Sequence, residues 1–237
     1  RQVPPDIDEV ARRRKLRVVT LERPGSGLST PWLHSKVADW AGDVEQAADA
    51  LGIGSFSVVG LSGGGPYVLA CLAELPHRAT RGALLGGIGP THGDERCGGY
   101  TQLLRPFEPL LKLLRGPLAE TITIAVKPIR PYAVPGIEVY ARFLSRRAER
   151  EALLQPAMKS MFVSDLCSTA EGGLRAPVLD LVLFARPWGF SVGGIEQPIS
   201  FWHGDADGIV PLNHSVEMAA RLPHAHLEVI PGGGHFA

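Results

Sequence analysis

Ser62 stands in Gly60-Leu61-Ser62-Gly63-Gly64, a G-x-S-x-G pattern directly after the apolar run Phe56–Val59. A serine hydroxyl is a weak nucleophile at neutral pH. It attacks a carbonyl when an imidazole within hydrogen-bond reach takes its proton and a carboxylate orients that imidazole. The chain offers both partners later. After Ile199–Trp202 comes His203-Gly204-Asp205-Ala206-Asp207-Gly208-Ile209-Val210-Pro211, with two candidate acids, Asp205 and Asp207. After Leu227–Ile230 comes Pro231-Gly232-Gly233-Gly234-His235, with a candidate base. The chemistry such a set performs is acyl transfer, with the amide N–H of Gly63 at a helix N-terminus suited to the oxyanion.

These residues converge only if the elements carrying them lie side by side. Apolar runs at Leu16–Leu21, Phe56–Val59, Ala83–Gly87, Ile199–Trp202 and Leu227–Ile230 read as strands. They alternate with helical patterns at Asp6–Arg14, Val37–Leu51 (with Gly52 as C-cap), Gly64–Leu75 and Leu212–Leu222. Continuous apolar strands alternating with helices predict an α/β fold, a mostly parallel sheet covered by helices on both faces. Ser62, the acid loop and His235 then share the rim formed by the strands' C-terminal ends. The serine turn is sharp, so its neighbours at Gly60 and Gly64 are expected to need to be small. From Thr91 to about Gly194 the rhythm becomes helical and proline-rich. The expected division is therefore residues 1–90 and 195–237 as one core, with residues 91–194 a helical lid inserted in it.

Composition excludes several other classes. Of 237 residues, 24 are Lys or Arg and 24 are Asp or Glu, so there is no basic excess of the kind nucleic acid selects. No run of about 18 apolar residues exists to span a membrane. The three cysteines, Cys71, Cys97 and Cys167, are far apart without metal-ligand spacing, which suits a reducing, cytoplasmic setting. Cys71 reads as a small packed hydrophobe. No signal peptide is recognisable in Arg1–Arg17.

At these residues the chain resembles the α/β-hydrolase fold family, in its serine hydrolase branch. Glu22-Arg23-Pro24-Gly25-Ser26-Gly27 is similar to the family's D-R-P-G-x-G loop, with Glu in place of Asp. Gly60–Gly64 matches the nucleophile elbow. Gly204–Pro211 is similar to the family's G-x-x-D-x-x-V-P acid loop, which marks Asp207 rather than Asp205 as the acid. Gly234-His235-Phe236 is similar to the G-H-F that carries the base. The family also carries an earlier His-Gly loop that donates a second oxyanion N–H. No His-Gly precedes Leu16, and only two residues follow His235, so the resemblance is to a hydrolase trimmed at both ends. Losing one oxyanion donor costs about 10²–10³ in rate.

The resemblance implies a catalytic triad of Ser62, Asp207 and His235, an oxyanion hole at Gly63, no cofactor, no metal, and a small-molecule ester or related acyl substrate. Lactone, peroxidase-like and C–C hydrolysis use the same triad. The alternative is a non-catalytic α/β-hydrolase-like binding protein, because the segment supplying the second donor is missing. Oligomeric state stays open. His203 ends a strand on the active rim and is a candidate to line the site. In the insertion, Leu103, Leu110, Leu114, Phe143, Met158, Met161, Phe162, Trp188 and Phe190 are candidates for an acyl pocket or for the insertion's own core.

Overall fold

The computed structural model describes residues 7–30, 32, 34–98, 147–156, 159–160 and 175–236. The chain divides into two compact units, one of residues 1–33 and 114–179, the other of residues 34–113 and 180–237.

The larger unit holds a four-stranded parallel sheet in the order β1 (Phe56–Leu61), β2 (Ala79–Leu85), β3 (Ile199–Gly204), β4 (Ala225–Ile230). Its register sets Leu61 opposite Leu85, Leu85 opposite Trp202, and Gly204 opposite Ile230. All four C-terminal ends therefore open onto one rim. β2 begins four residues before the sequence expectation. Thr80 and Arg81 are exposed polar residues that hide its first turn from an apolar pattern.

Helix α2 (Trp40–Ala50) starts where Asp39 accepts the N–H groups of Ser35 and Lys36 at 2.9 and 3.2 Å. It ends in a Schellman turn: Ile53 N–H donates to Ala48 O and Gly52 N–H to Asp49 O, with Gly52 at φ +66°. Helix α3 (Gly65–Glu74) is buried from Gly65 to Leu72, so it reads as apolar on every side. It packs on β1 and β2 with α2 beside it. Helix α5 (Arg175–Phe184) carries its C-terminal half into this unit, and α6 (Asn213–Ala219) packs on β3 and β4. Leu69, Leu72, Leu84, Ile199, Phe201 and Met218 form the core of the unit. Burying side chains of this size contributes about 1.5–3 kcal/mol each before entropy is subtracted.

The smaller unit contains α1 (Ile7–Arg14) and α4 (Arg147–Leu154). Its Glu22 loop curls on itself: Leu28 N–H donates to Glu22 Oε2 at 2.9 Å and the Ser29 hydroxyl to Glu22 O at 2.9 Å. The Leu28 amide holds the Glu22 carboxyl below its ordinary range.

The strand expected at Leu16–Leu21 does not form. These residues have no regular structure, and Leu16, Val18, Val19 and Leu21 are all exposed. A β-branched run makes a strand only when a neighbouring edge takes its backbone groups, and none of the four strands pairs with it. Of the expected insertion, residues 99–146, 157–158 and 161–174 lie outside the described residues. With them lie Leu103, Leu110, Leu114, Phe143, Met158, Met161 and Phe162, as well as Cys167. Among the described residues no helix is long and apolar enough to cross a membrane.

Two ties join residues 91–95 to residues 184–193 inside the larger unit. The Glu95 carboxylate accepts the Ser191 hydroxyl at 2.8 Å, Val192 N–H at 2.8 Å and Gly193 N–H at 3.0 Å. The Thr91 hydroxyl donates to Phe184 O at 2.5 Å. Burial opposes ionisation of Glu95, but these donors win and hold its carboxyl below the ordinary range.

Candidate active site

Ser62 follows β1 at φ +54°, a left-handed conformation that non-glycine residues rarely take. The strand turns there into a short 3-10 segment, Ser62–Gly64, and on into α3. The turn is braced by Ile88 N–H donating to Ser62 O at 3.2 Å. A Cβ on Gly60 would lie 2.6 Å from Gly64 O and 2.7 Å from Val68 Cγ2, so this position admits only glycine. Gly64 differs from expectation, because a Cβ there meets no atom within 4 Å outside its own helical turn. The tight neighbour is Gly65 instead, where a Cβ would lie 3.2 Å from Gly87 Cα and from Leu84 Cδ2. The crowding comes from β2 and its following loop, which no motif spacing reveals.

Gly63 occupies the first helical turn, where an N–H has no acceptor four residues back and is available to an anion. The ring of Phe184 faces it, 3.5 Å from where a Gly63 Cβ would stand. Phe184 continues an aromatic row through Tyr67 and Trp40 on one side and Trp188 and Phe190 on the other. Trp188 is buried in the core, with its indole N–H donating to Phe184 O at 3.1 Å, so it packs this row.

His235 lies five residues beyond the end of β4 yet reaches back across β3. Its loop is stitched to the acid loop: Asp205 N–H donates to Ile230 O, Ala206 N–H to Gly233 O, and Gly232 N–H to the Asp205 carboxylate at 2.7 Å. Asp205 therefore braces the turn. The crossing passes over Gly204, where a Cβ would collide with the carbonyls of Gly233 and Gly234. Gly204→Ala is expected to lift this loop, with a loss of about 1–3 kcal/mol in stability and of turnover beyond what the melting shift explains. Thermal melts beside kinetics check it, and unchanged kinetics would argue that the crossing tolerates a methyl group.

The crossing delivers the buried imidazole to the buried carboxylate. His235 Nδ1 stands 2.7 Å from Asp207 Oδ2. Asp207 Oδ1 accepts Ile209 N–H at 2.8 Å and Val210 N–H at 2.9 Å. Burial alone would raise the Asp207 carboxyl. Hydrogen bonds from His203 and His235, the His235 charge and the Val210 amide outweigh it and hold the group well below the usual carboxylate range. An ionised Asp207 fixes the tautomer: Nδ1 of His235 carries the proton and Nε2 keeps its lone pair.

The position of this pair relative to the elbow follows from the sheet. Leu61 pairs with Leu85, so Ser62 and Gly86 leave adjacent strands at the same level. Gly86, at φ +53°, is the floor of the pair: a Cβ there would lie 3.2 Å from His235 Nδ1 and 3.4 Å from Asp207 Oδ2. Asp207 and His235 thus touch, next to the strand end beside Ser62. Among the described residues no hydrogen bond joins the Ser62 hydroxyl to the ring. Nucleophile–base bonds are commonly long in a resting site and tighten when substrate binds.

Two further histidines lie close by: His203, the rim candidate, and His214, to which the sequence assigns no role. His203 is buried against Asp207, with Nε2 3.2 Å from Oδ2. His214, fully buried in α6, accepts Gly89 N–H at Nδ1 (3.0 Å), and its Nε2 finds no partner among the described residues. Burial pushes the His214 imidazole down to about 4. An unfolded histidine titrates near 6.5, so between about 6.5 and about 4 the unfolded chain binds a proton that the folded one refuses. Folded stability is therefore lost as pH falls through that window, by roughly 3 kcal/mol at its lower end. The melting temperature is expected to drop steeply from pH 7 to pH 4.5, and less steeply in His214→Gln. Equal slopes would show that another group carries the acid sensitivity. Cys71 and Cys97 are free and buried, and burial raises their thiols to about 12 and about 11, so neither is a nucleophile at neutral pH. Among the described residues no His, Cys, Asp or Glu cluster is arranged to hold a metal.

A profile of the alpha/beta hydrolase family matches residues 4–237. The chain belongs to that family. This hydrolase is 29% identical over 227 residues to the 2-hydroxymuconate semialdehyde hydrolase of Pseudomonas putida, covering 93% of this chain and 70% of the relative. Among solved structures, the esterase RhEst1 from Rhodococcus sp. ECU1013 superposes with a TM-score of 0.60 at 19% identity, covering 93% of this chain and 74% of that one. The 2-hydroxy-6-oxo-6-phenylhexa-2,4-dienoate hydrolase from Rhodococcus sp. strain RHA1 gives 0.60 at 22% identity, covering 98% and 77%. These structural likenesses share the hydrolase's fold, a parallel sheet flanked by helices.

Proposed function

We propose that this α/β-hydrolase is a serine hydrolase that cleaves a carboxylic ester or related acyl compound through an acyl-enzyme. The observation that carries the reading is the 2.7 Å contact between His235 and an ionised Asp207, set over Gly86 beside the elbow that strains Ser62. Ser62 Oγ attacks the carbonyl while His235 Nε2 takes its proton. Asp207 stays ionised and stabilises the imidazolium. Gly63 N–H donates to the oxygen that becomes negative. The tetrahedral species collapses, His235 returns the proton to the departing alkoxide, and water repeats the sequence on the acyl-enzyme. The Phe184 ring beside Gly63 suits an apolar acyl group.

A second substrate class has support from one relative's name. The Pseudomonas putida protein is named a 2-hydroxymuconate semialdehyde hydrolase, and C–C hydrolysis of such a substrate by the same triad is the second reading. Fluorophosphonate labelling tests the common core. Covalent modification at Ser62, absent in Ser62→Ala, is the result expected, and no labelling of the folded chain would overturn the reading. Parallel assays with p-nitrophenyl esters and with a 2-hydroxy-6-oxo-dienoate then choose the class, the proposal requiring faster turnover of the esters.

A further inference from the structure

His203 is buried to 1% exposure at the end of β3, on the same side of the sheet as Ile199 and Phe201, and makes three direct polar contacts. Its Nδ1 lies 2.7 Å from the Ser215 hydroxyl of α6, which is itself fully buried. Its Nε2 lies 2.9 Å from Val210 O and 3.2 Å from Asp207 Oδ2. Both neighbours of Nε2 are acceptors, so Nε2 must carry a proton. Nδ1 of the neutral ring is then an acceptor, and the Ser215 O–H donates to it.

This completes the surroundings of Asp207. Oδ1 accepts two backbone N–H groups, and Oδ2 faces two imidazoles. A carboxylate has about four acceptor directions, and here each is met. Val210 is held from both sides, its N–H on Asp207 and its carbonyl on His203. We propose that His203 and Ser215 are positioning residues for the acid of the triad, which lock the Asp207 rotamer and take part of its charge so that His235 receives a fixed, moderated acceptor. The proposal rests on the triad reading above. The titratable groups around this ring are Asp207 and, from α6, His214, with His235 on the far side of the shared carboxylate.

The sign of the effect follows. Without the His203 N–H, the negative charge of Asp207 concentrates on His235, the imidazolium is favoured, and the acid limb of the kcat/KM profile moves to higher pH. His203→Leu is expected to lower kcat roughly ten-fold with KM little changed, and to raise the acid limb by about half a pH unit or more. His203→Gln returns a donor near the Nε2 position and is expected to recover most of both. Ser215→Ala, which frees the ring to turn, is expected to lie between. If His203→Leu does not melt cooperatively, the Gln and Ser215→Ala variants carry the comparison. A low-field proton NMR line from the His235 Nδ1–H, read in the resting protein, is expected to move in each variant lacking the donor. An unmoved line with an unmoved acid limb, and Gln no better than Leu, would overturn the positioning role and leave His203 a packing residue. Failure of the parent reading looks different: the wild-type chain is then unlabelled by fluorophosphonate, and the NMR line still decides whether His203 acts on Asp207.

Discussion

Ser62→Ala is expected to lower kcat on an activated ester by roughly 10⁵–10⁶, while the melting temperature stays level or rises. The loss is this large because, in the proposed mechanism, the hydroxyl is the atom that forms the acyl-enzyme; without it His235 and Asp207 would have no nucleophile to activate. Stability is expected to hold because Ser62 sits at φ +54°, a strain that serves the geometry of attack and that alanine shares. Residual hydrolysis over the uncatalysed rate should remain from the Gly63 donor. Stopped-flow acylation beside a thermal melt measures both halves, and a variant within ten-fold of wild type would remove Ser62 from the reaction.

Asp207→Asn is expected to lower kcat by about 10⁴ with modest change in KM. Two backbone donors, Ile209 and Val210 N–H, already claim Oδ1, so an asparagine keeps its oxygen there and points its NH₂ group at His235. That group is a donor, and the ring must turn its bare nitrogen toward it. The proton then sits on Nε2, where the base lone pair is needed. The isosteric change therefore removes the tautomer and leaves the packing in place. Asp205→Asn is the control, since Asp205 only braces Gly232. A drop in Asp205→Asn as deep as in Asp207→Asn would mean that the loop and not the carboxylate matters.

The elements that place these residues are legible because each combines an apolar run with a turn signal. Phe56–Val59 running into Gly60 and Ile199–Trp202 running into His203-Gly204 name both strand and rim at once. Leu16–Leu21 shows the limit of that logic: its β-branched residues satisfy a local preference, but a strand needs a partner edge, which is a property of distant residues. The same limit applies to the elbow, where Gly65 and not Gly64 is crowded, because the obstruction comes from Leu84 on β2 and Gly87 in the loop after it. His203 was visible as a rim residue through its place at the end of a strand. Its partner Ser215 was not, since nothing in a lone buried serine on a helix marks it as a hydrogen-bond donor to a ring twelve residues away.

The Glu95 carboxylate grips residues 191–193, 96 to 98 positions downstream, and Thr91 holds Phe184. Residues 91–95 and 184–193 are thereby riveted together within the larger unit. Such a root keeps the Phe184 ring in its place beside Gly63 through contacts made inside the larger unit itself.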